Sequence, residues 1–339
     1  MKHRRAISLI IMALLLAVLL PAGLLAGNVP LSWSEISDSL AGHGTQLTDF
    51  IVLDTRMPAL LTAALGCAAL AVSGLLMQTC FNNPLAGPSI MGISSGASLG
   101  VAILILAAGG TMAGTGGNLA VVGCAFLGAM AVLGVLILFS ASVKSADVLL
   151  IIGILVGYLT SSVISLLNFF ASDRSVQAFV VWGLGTFSGV PRATLPLFAT
   201  LTLVLTAATL LYSKAMNAML FGERYAANSG ISPTRVRTGL LLLSGALTAV
   251  VTAWCGPVVF VGLVVPHIAR MIVATADHRT LIPATALAGA LIGVICQIIS
   301  VLPAVTSTGV IPINAITPII GVPVIIYVLL NRRRLLYFN

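Results

Sequence analysis

Few residues in this chain could do chemistry. His267 stands alone in the run VVPHIAR, with no second ligand at metal-binding spacing. A lone histidine at a helix end after proline reads as a hydrogen-bonded structural group rather than a metal or haem ligand. His278 sits between Asp277 and Arg279 and reads as a loop residue on a contact surface. The five cysteines (Cys67, Cys80, Cys124, Cys255 and Cys296) lie in or at the ends of apolar segments and read as buried fillers. The methionines, Met77, Met91 and Met130 among them, are scattered, which fits core filling better than metal capture. No G-x-x-x-x-G-K-[ST] phosphate loop occurs, so ATP is not hydrolysed here by that route.

The remaining polar interest is one interlude, Tyr212–Gly239, flanked by strongly apolar sequence. Its spacing predicts two short helical pieces. Met216, Met219, Leu220 and Ala227 form an apolar face, and Gly230 is placed to end a helix. Ser232-Pro233 then reads as an N-cap with proline at the first helical position. Lys214, Arg224, Arg235 and Arg237 against the single Glu223 leave the loop at +3. Such a segment either fixes orientation or serves as a handle that another protein pushes.

These elements must be held by a membrane protein. Hydrophobic residues make up 59% and charged residues 7%, against roughly 25% charged in soluble domains. Eight acids and sixteen bases cannot coat a soluble body of 339 residues. Apolar runs long enough to cross a ~30 Å hydrocarbon core recur along the chain. Met1–Arg5 carries three cations and precedes an apolar run from Ala6 to Gly27, which is longer than a signal-peptide core and reads as a retained first span. Further spans are predicted at 57–80, 90–108, 119–140, 148–170, 193–212, 239–256, 258–275, 282–301 and 312–330, ten in all. The pair around Gly256-Pro257 could equally be one long kinked helix.

The cations assign the sides. With the N-terminus inside, thirteen Lys and Arg fall in cytoplasmic segments, and only Arg56, Arg174 and Arg192 fall outside. That bias predicts an even span count with both termini cytoplasmic. The net charge of +8 is thus a topology signal and not a nucleic-acid footprint. No Asp, Glu or Lys lies near the centre of a predicted span. Ion-coupled secondary transporters usually need such groups, so transport would have to draw its energy from another chain through the polar loop. A membrane-embedded enzyme or receptor is disfavoured by the lack of a polar constellation within the spans.

Small residues recur at helical spacing in Ser73-Gly74 and in Gly92, Gly96 and Gly100, which allows close helix approach in lipid. Asn82-Asn83-Pro84 interrupts two apolar runs, and its proline holds the preceding residue extended. The segment Ala171–Arg192, with Val176, Phe179, Val180 and Trp182, reads as an amphipathic interfacial helix.

Blocks spread over about four fifths of the chain resemble one family. They are DTRMPALLTAALGCAALAVSGLLMQTCFNNPLAGPSIMGISSGASLG (Asp54–Gly100), WGLGTFSG (Trp182–Gly189), FGERYAANSGI (Phe221–Ile231), GPVVFVGLVVPHIAR (Gly256–Arg270), DHR (Asp277–Arg279) and GVPVIIYVL (Gly321–Leu329). Their order resembles the permease subunits of bacterial iron-siderophore, haem and cobalamin ABC importers of the FecCD/BtuC type. The resemblance implies an all-α polytopic fold of the type II importer, forming a single permease domain with a coupling loop at about 213–238. It implies a homodimer in the bacterial inner membrane with two ATP-binding subunits and an extracytoplasmic binding protein. This chain would hold no cofactor, ATP and Mg residing on the ATPase.

Residue by residue, the resemblance implies a cytoplasmic gate at Asn83 and Leu85 and, by position, at Ser145, Ala146 and Asp147 in the turn that begins at Lys144. Asp147 stands where small uncharged residues are common. ATPase coupling would fall to Gly222, Glu223, Arg224 and Gly230, with Ser229 in place of the usual Leu. Docking of the binding protein would use Arg56; the family's second arginine is replaced by Ala59, and Arg174 is the candidate for the missing charge. The pathway would be lined by Gly153, Gly157, Ser161 and Ser165. The expected cargo is a ferric siderophore, with cobalamin or haem as the alternative.

Overall fold

The computed structural model describes residues 2–27, 29–109, 114–143, 145–302 and 310–330. These residues form helices and connecting turns, with no strand among them. The first half runs α1 (Lys2–Leu25), α2 (Trp33–Leu40), α3 (Gln46–Asp49), α4 (Met57–Cys80), α5 (Ile93–Ala102), α6 (Gly114–Ser142), α7 (Ala146–Phe170) and α8 (Asp173–Gly183). The second half runs α9 (Leu195–Thr209), α10 (Ser213–Met219), α11 (Glu223–Asn228), α12 (Pro233–Cys255), α13 (Val261–Val273), α14 (His278–Ser300) and α15 (Ile313–Leu330).

Seven of the helical segments are long and apolar enough to cross a bilayer, and Ile93–Ala107, Val261–Val273 and Ile313–Val328 are shorter apolar ones. Together they coincide with the ten predicted spans. α4 is reached from α3 through a π-helical turn at Phe50–Arg56, and α5 is extended by a second such turn to Ala107.

α4 is the hub. It is apolar on every side and nearly all of its side chains are buried, the pattern expected of a helix enclosed by other helices. Its Ala, Gly and Ser residues permit the enclosure: a Cβ on Gly74 would collide with the Gly262 carbonyl, and one on Gly289 would lie 2.6 Å from the Cys67 carbonyl. Without a hydrophobic drive between helices in lipid, such close approach and inter-helix hydrogen bonds hold the bundle. Ser73 supplies these bonds, its Oγ lying 2.7 Å from Ser244 Oγ and 2.9 Å from Thr248 Oγ1 on α12. Around the hub, α1 packs through Leu16, Leu20 and Leu24 against Leu60, Ala64, Ala290 and Val294.

The ambiguity at Gly256 resolves into two helices. α12 ends at Cys255, α13 begins at Val261, and the stretch between them is not helical. Its backbone groups find partners on Asn314, whose Nδ2 donates to the carbonyls of Pro257 (2.6 Å) and Gly183 (3.1 Å) and whose Oδ1 accepts from Val259 N–H (3.2 Å). Backbone can leave the helix at membrane depth only where protein satisfies it in this way.

α8 forms where an interfacial helix was expected, capped by Ser172. Trp182 is buried and stacks on Phe179 with ring centroids 6.2 Å apart, so it packs into the protein instead of facing the boundary.

Candidate functional site

The polar interlude folds as two short helices, as its spacing suggests. α11 ends in a Schellman motif: Ile231 N–H donates to the Ala226 carbonyl and Gly230 N–H to the Ala227 carbonyl, with Gly230 at φ +80°. Only glycine adopts that backbone without cost. Met216 and Met219 are buried as expected, but Ala226, not Ala227, completes the apolar face. Ser232 occupies the N-cap position before Pro233 without making a side-chain cap. Phe221 and Tyr225 project at the tip, 74% and 54% exposed, with rings 5.2 Å apart.

Of the residues expected to contact an ATPase, Gly222 and Arg224 are exposed. Glu223 is half-exposed and is not free, because its Oε1 pairs with Nη2 of Arg237 on α12. Arg237 is 2% exposed, and its Nη1 reaches the Val143 carbonyl at 3.4 Å. The expected surface role of His278 is also corrected: this residue is fully buried. Asn217 Oδ1 accepts from the His278 backbone N–H (2.9 Å) and pairs with Nδ1 (2.7 Å), while Asn217 Nδ2 donates to Asp277 Oδ1 (2.6 Å). That set assigns the ring proton to Nδ1, so Nε2 accepts from Thr79 Oγ1 at 2.9 Å. Asp277 also caps α14 through Arg279 N–H. Burial raises the carboxyl of Asp277, but the bonds from Asn217 and Arg279 N–H outweigh it and hold the pKa below the usual value.

The segment expected to form a gate begins one turn beyond Thr79. Asn82 adopts φ +43°, Asn83 Oδ1 accepts from Leu85 N–H at 2.9 Å, and Leu85 is 40% exposed. His267 fulfils its structural expectation, with Nε2 2.9 Å from the Pro84 carbonyl. Gln78 donates to the Leu263 carbonyl (3.1 Å) and accepts from Arg270 Nη1 (3.4 Å). Across the gate region, Ser145 caps α7 through Val148 N–H, and Asp147 is exposed. Lys144 and the Ala146 side chain lie outside the described residues.

On α7, Ser161 and Ser165 are exposed, and the Ser165 hydroxyl donates within its own helix to the Ser161 carbonyl. Gly153 and Gly157 do something else. A Cβ on Gly153 would lie 3.2 Å from Met91 Cα, and Gly157 faces Gly92, the left-handed N-cap of α5. These two glycines serve the approach of α7 to α5 within the chain, and the open stripe begins beyond them.

At the opposite end the docking expectation for Arg56 meets a contrary finding. Arg56 is 8% exposed. Its guanidinium donates to the Leu24 carbonyl at 2.6 Å and to the Val29 carbonyl. The last carbonyls of α1 lack helical partners and accept such donors. The segment after α1 wraps so closely that a Cβ on Gly27 would lie 2.7 Å from Arg56 Nη2. Arg174 is exposed, as expected of a docking charge, and Arg192 forms an exposed ion pair with Asp54 at 3.3 Å.

The residues that sequence reasoning missed are Asn217, Thr79, Arg237 and Asn314. The signal for Asn217 and Asn314 was available: each is a lone amide among apolar neighbours, and a buried amide needs partners.

An enclosed helical hub, a broken α12–α13 pair and a charged two-helix loop define a polytopic transport protein. The sequence matches the FecCD transport family over residues 14–331, and the chain belongs to that family. It is 33% identical over 322 residues to a vitamin B12 import system permease protein, BtuC, from Shigella boydii, covering 95% of this chain and 93% of that one. The BtuC protein of Citrobacter koseri is 32% identical over 336 residues, covering 98% and 96%. A solved structure described as an inward-facing conformation of a metal-chelate type ABC transporter superposes with TM-score 0.83 and 28% identity, covering 96% of this chain and 98% of that one. The chain is thus an ABC importer permease of that family.

Proposed function

We propose that the chain is the membrane subunit of an ATP-driven importer that carries a bulky metal chelate across the bacterial inner membrane. It works as a homodimer with two ATPase subunits and a binding protein outside, and both of its termini are cytoplasmic. The observation that carries this reading is the loop α10–α11, whose exposed tip of Phe221, Arg224 and Tyr225 is backed by buried polar bonds into the bundle. A loop that merely orients spans needs no such anchoring.

The open stripe of α7 at Ser161 and Ser165 is the pathway surface of this reading, weakly polar so that a bulky cargo does not adhere. Arg174 is its docking charge. The described spans carry no Asp, Glu or Lys near their centres, which supports external energy over ion coupling.

The cargo is a ferric siderophore or a corrinoid. The ferric siderophore is the expectation from the resemblance, and the vitamin B12 permeases at 33% identity favour a corrinoid as the first to test. Proteoliposomes holding this chain with its co-purified ATPase, given the cognate binding protein, should accumulate either radiolabelled cobalamin or a radiolabelled ferric hydroxamate when ATP is inside the membrane-equivalent cytoplasmic face. No nucleotide-binding subunit in a pull-down, and no ATP-dependent uptake of either probe, would refute the reading. Sidedness is checked in a cysteine-free background: a cysteine at Arg224 should label only from the cytoplasm and one at Arg174 only from outside.

A further inference from the structure

Two sets of buried polar groups lie between the two-helix loop and the turns that begin α5 and α7, and the reading as an importer assigns them no task. We infer that they are two separate mechanical links, each joining one helix of the coupling loop to one gate turn. In the first, Asn217 of α10 holds His278, and His278 holds Thr79 in the last turn of α4. Thr79 is bonded into the Asn82–Leu85 turn, because Asn82 N–H donates to its carbonyl at 3.3 Å. In the second, Glu223 of α11 holds Arg237, and Arg237 reaches the Val143 carbonyl two residues before Ser145. The inference rests on the proposed coupling function but makes a structural claim that can fail by itself.

The physical argument is burial. His278, Thr79 and Arg237 are respectively 0%, 6% and 2% exposed. Parting a pair leaves its buried member without water to replace that partner, even where the other member, as with half-exposed Glu223, is rehydrated. That cost is larger than the bond contributes when made. A displacement of α10 or α11 therefore drags the joined segment wherever the bonded groups have no other partner in reach. The bonds also join elements far apart in sequence: 199 residues separate Thr79 from His278, and 94 separate Val143 from Arg237. Local structure alone needs neither.

One joint can open at reduced cost. The Thr79 hydroxyl lies 3.0 Å from the Leu75 carbonyl as well as 2.9 Å from His278 Nε2, so its single hydrogen has two acceptors in reach. When α14 withdraws, Thr79 keeps a bond within its own helix. That gives the first link two discrete states, which is the physical requirement for carrying a signal. Asn217, His278, Thr79 and Arg237 are positioning residues; none need touch cargo or nucleotide.

Hydrogen exchange of the purified full-length chain in nanodiscs tests the links without any partner. Asn217→Ala should speed exchange in the remote 82–86 turn by about threefold or more, within the range found for coupled positions, and leave 145–149 unchanged. Glu223→Gln should do the reverse. Thr79→Val should speed exchange in α10, and Thr79→Ser, which keeps the hydroxyl, should restore the wild-type rate. Ser73→Ala, which removes a buried hydroxyl from the middle of the same helix, should alter neither turn. In the complex with its ATPase, Asn217→Ala should raise ATP hydrolysed per cobalamin or ferric hydroxamate imported, while Ser73→Ala should not.

If faster exchange in Asn217→Ala stays within 213–219 and 277–281, the first link is refuted. Equal effects of Asn217→Ala and Glu223→Gln on both turns would refute their separateness. Should Asn217→Ala not fold, the Thr79→Val and Thr79→Ser pair decides the same point. A wild-type chain that exchanges as expected but binds no ATPase would refute the function and leave the links standing.

Discussion

The two ends of this bundle treat their inward-turned basic side chains differently. At the loop end, Arg237, Arg270 and His267 each contact a helix or turn distant in sequence, and His278 is held between α10 and α4. At the opposite end Arg56 turns inward to close the end of α1, and the charges left at the surface are exposed. Polar groups at the loop end connect segments that a conformational cycle would move against one another. At the other end the buried cation closes the end of one helix, and the remaining cations are exposed. Buried inter-element bonds transmit displacement; surface charges steer encounters.

The sharpest way to break this contrast is Glu223→Arg. It removes one partner of buried Arg237 and sets a like charge beside it, so it should cost about 2–3 kcal/mol of stability, below a fully buried pair because Glu223 is half-exposed. A lowered unfolding midpoint in detergent should accompany any uncoupling. An unchanged midpoint would mean that the pair does not hold the loop.

Arg56→Ala should come next, destabilising by about 1–3 kcal/mol because the Leu24 and Val29 carbonyls lose a buried donor. The salt dependence of binding-protein association should stay as in the wild type. Arg174→Glu should do the converse, slowing association at low salt with the midpoint unchanged. If Arg56→Ala slows association without lowering the midpoint, the docking role returns to Arg56.

Arg192→Ala breaks a pair whose partners are 54% and 44% exposed, so thermal unfolding should shift by no more than about 1 kcal/mol. The smallest effect concerns pH. The pKa of Asp277 is held below its ordinary value in the folded chain, so its contribution is present above the unfolded carboxylate range and is lost as pH falls through the folded value. Asp277→Asn should lower the neutral-pH midpoint slightly, because the charge-linked contribution is lost there, and should flatten that component of the acid limb. A steeper acid limb in the variant would reverse the sign assigned here.

Much of the bundle was legible before folding. Hydropathy accumulates along a segment and depends little on its neighbours, so the ten apolar helical segments follow from composition. Their ends differ from the expected limits by up to several residues, as at Pro233 and His278. The small-residue spacing around Gly74 and Gly92 announced close approach without naming the helix that approaches, and Gly230 announced the end of α11 because its left-handed backbone is a local requirement. His267 read correctly as a hydrogen-bonded group, although its partner, the Pro84 carbonyl, lies 183 residues away and was not legible.

What the sequence could not decide is where each polar side chain points once remote segments meet. Arg56 looked like a surface cation until the end of α1 was brought to it, thirty-two residues away. Glu223 and His278 looked like free contact residues until Arg237 and Asn217 enclosed them. Gly153 and Gly157 shared a stripe with Ser161 and Ser165, yet only the serines face outward, because α5 covers the first two turns of that stripe. Helix formation and lipid preference are properties of a segment. Whether a charge meets water or a carbonyl is a property of two segments, and only the tertiary structure pairs them.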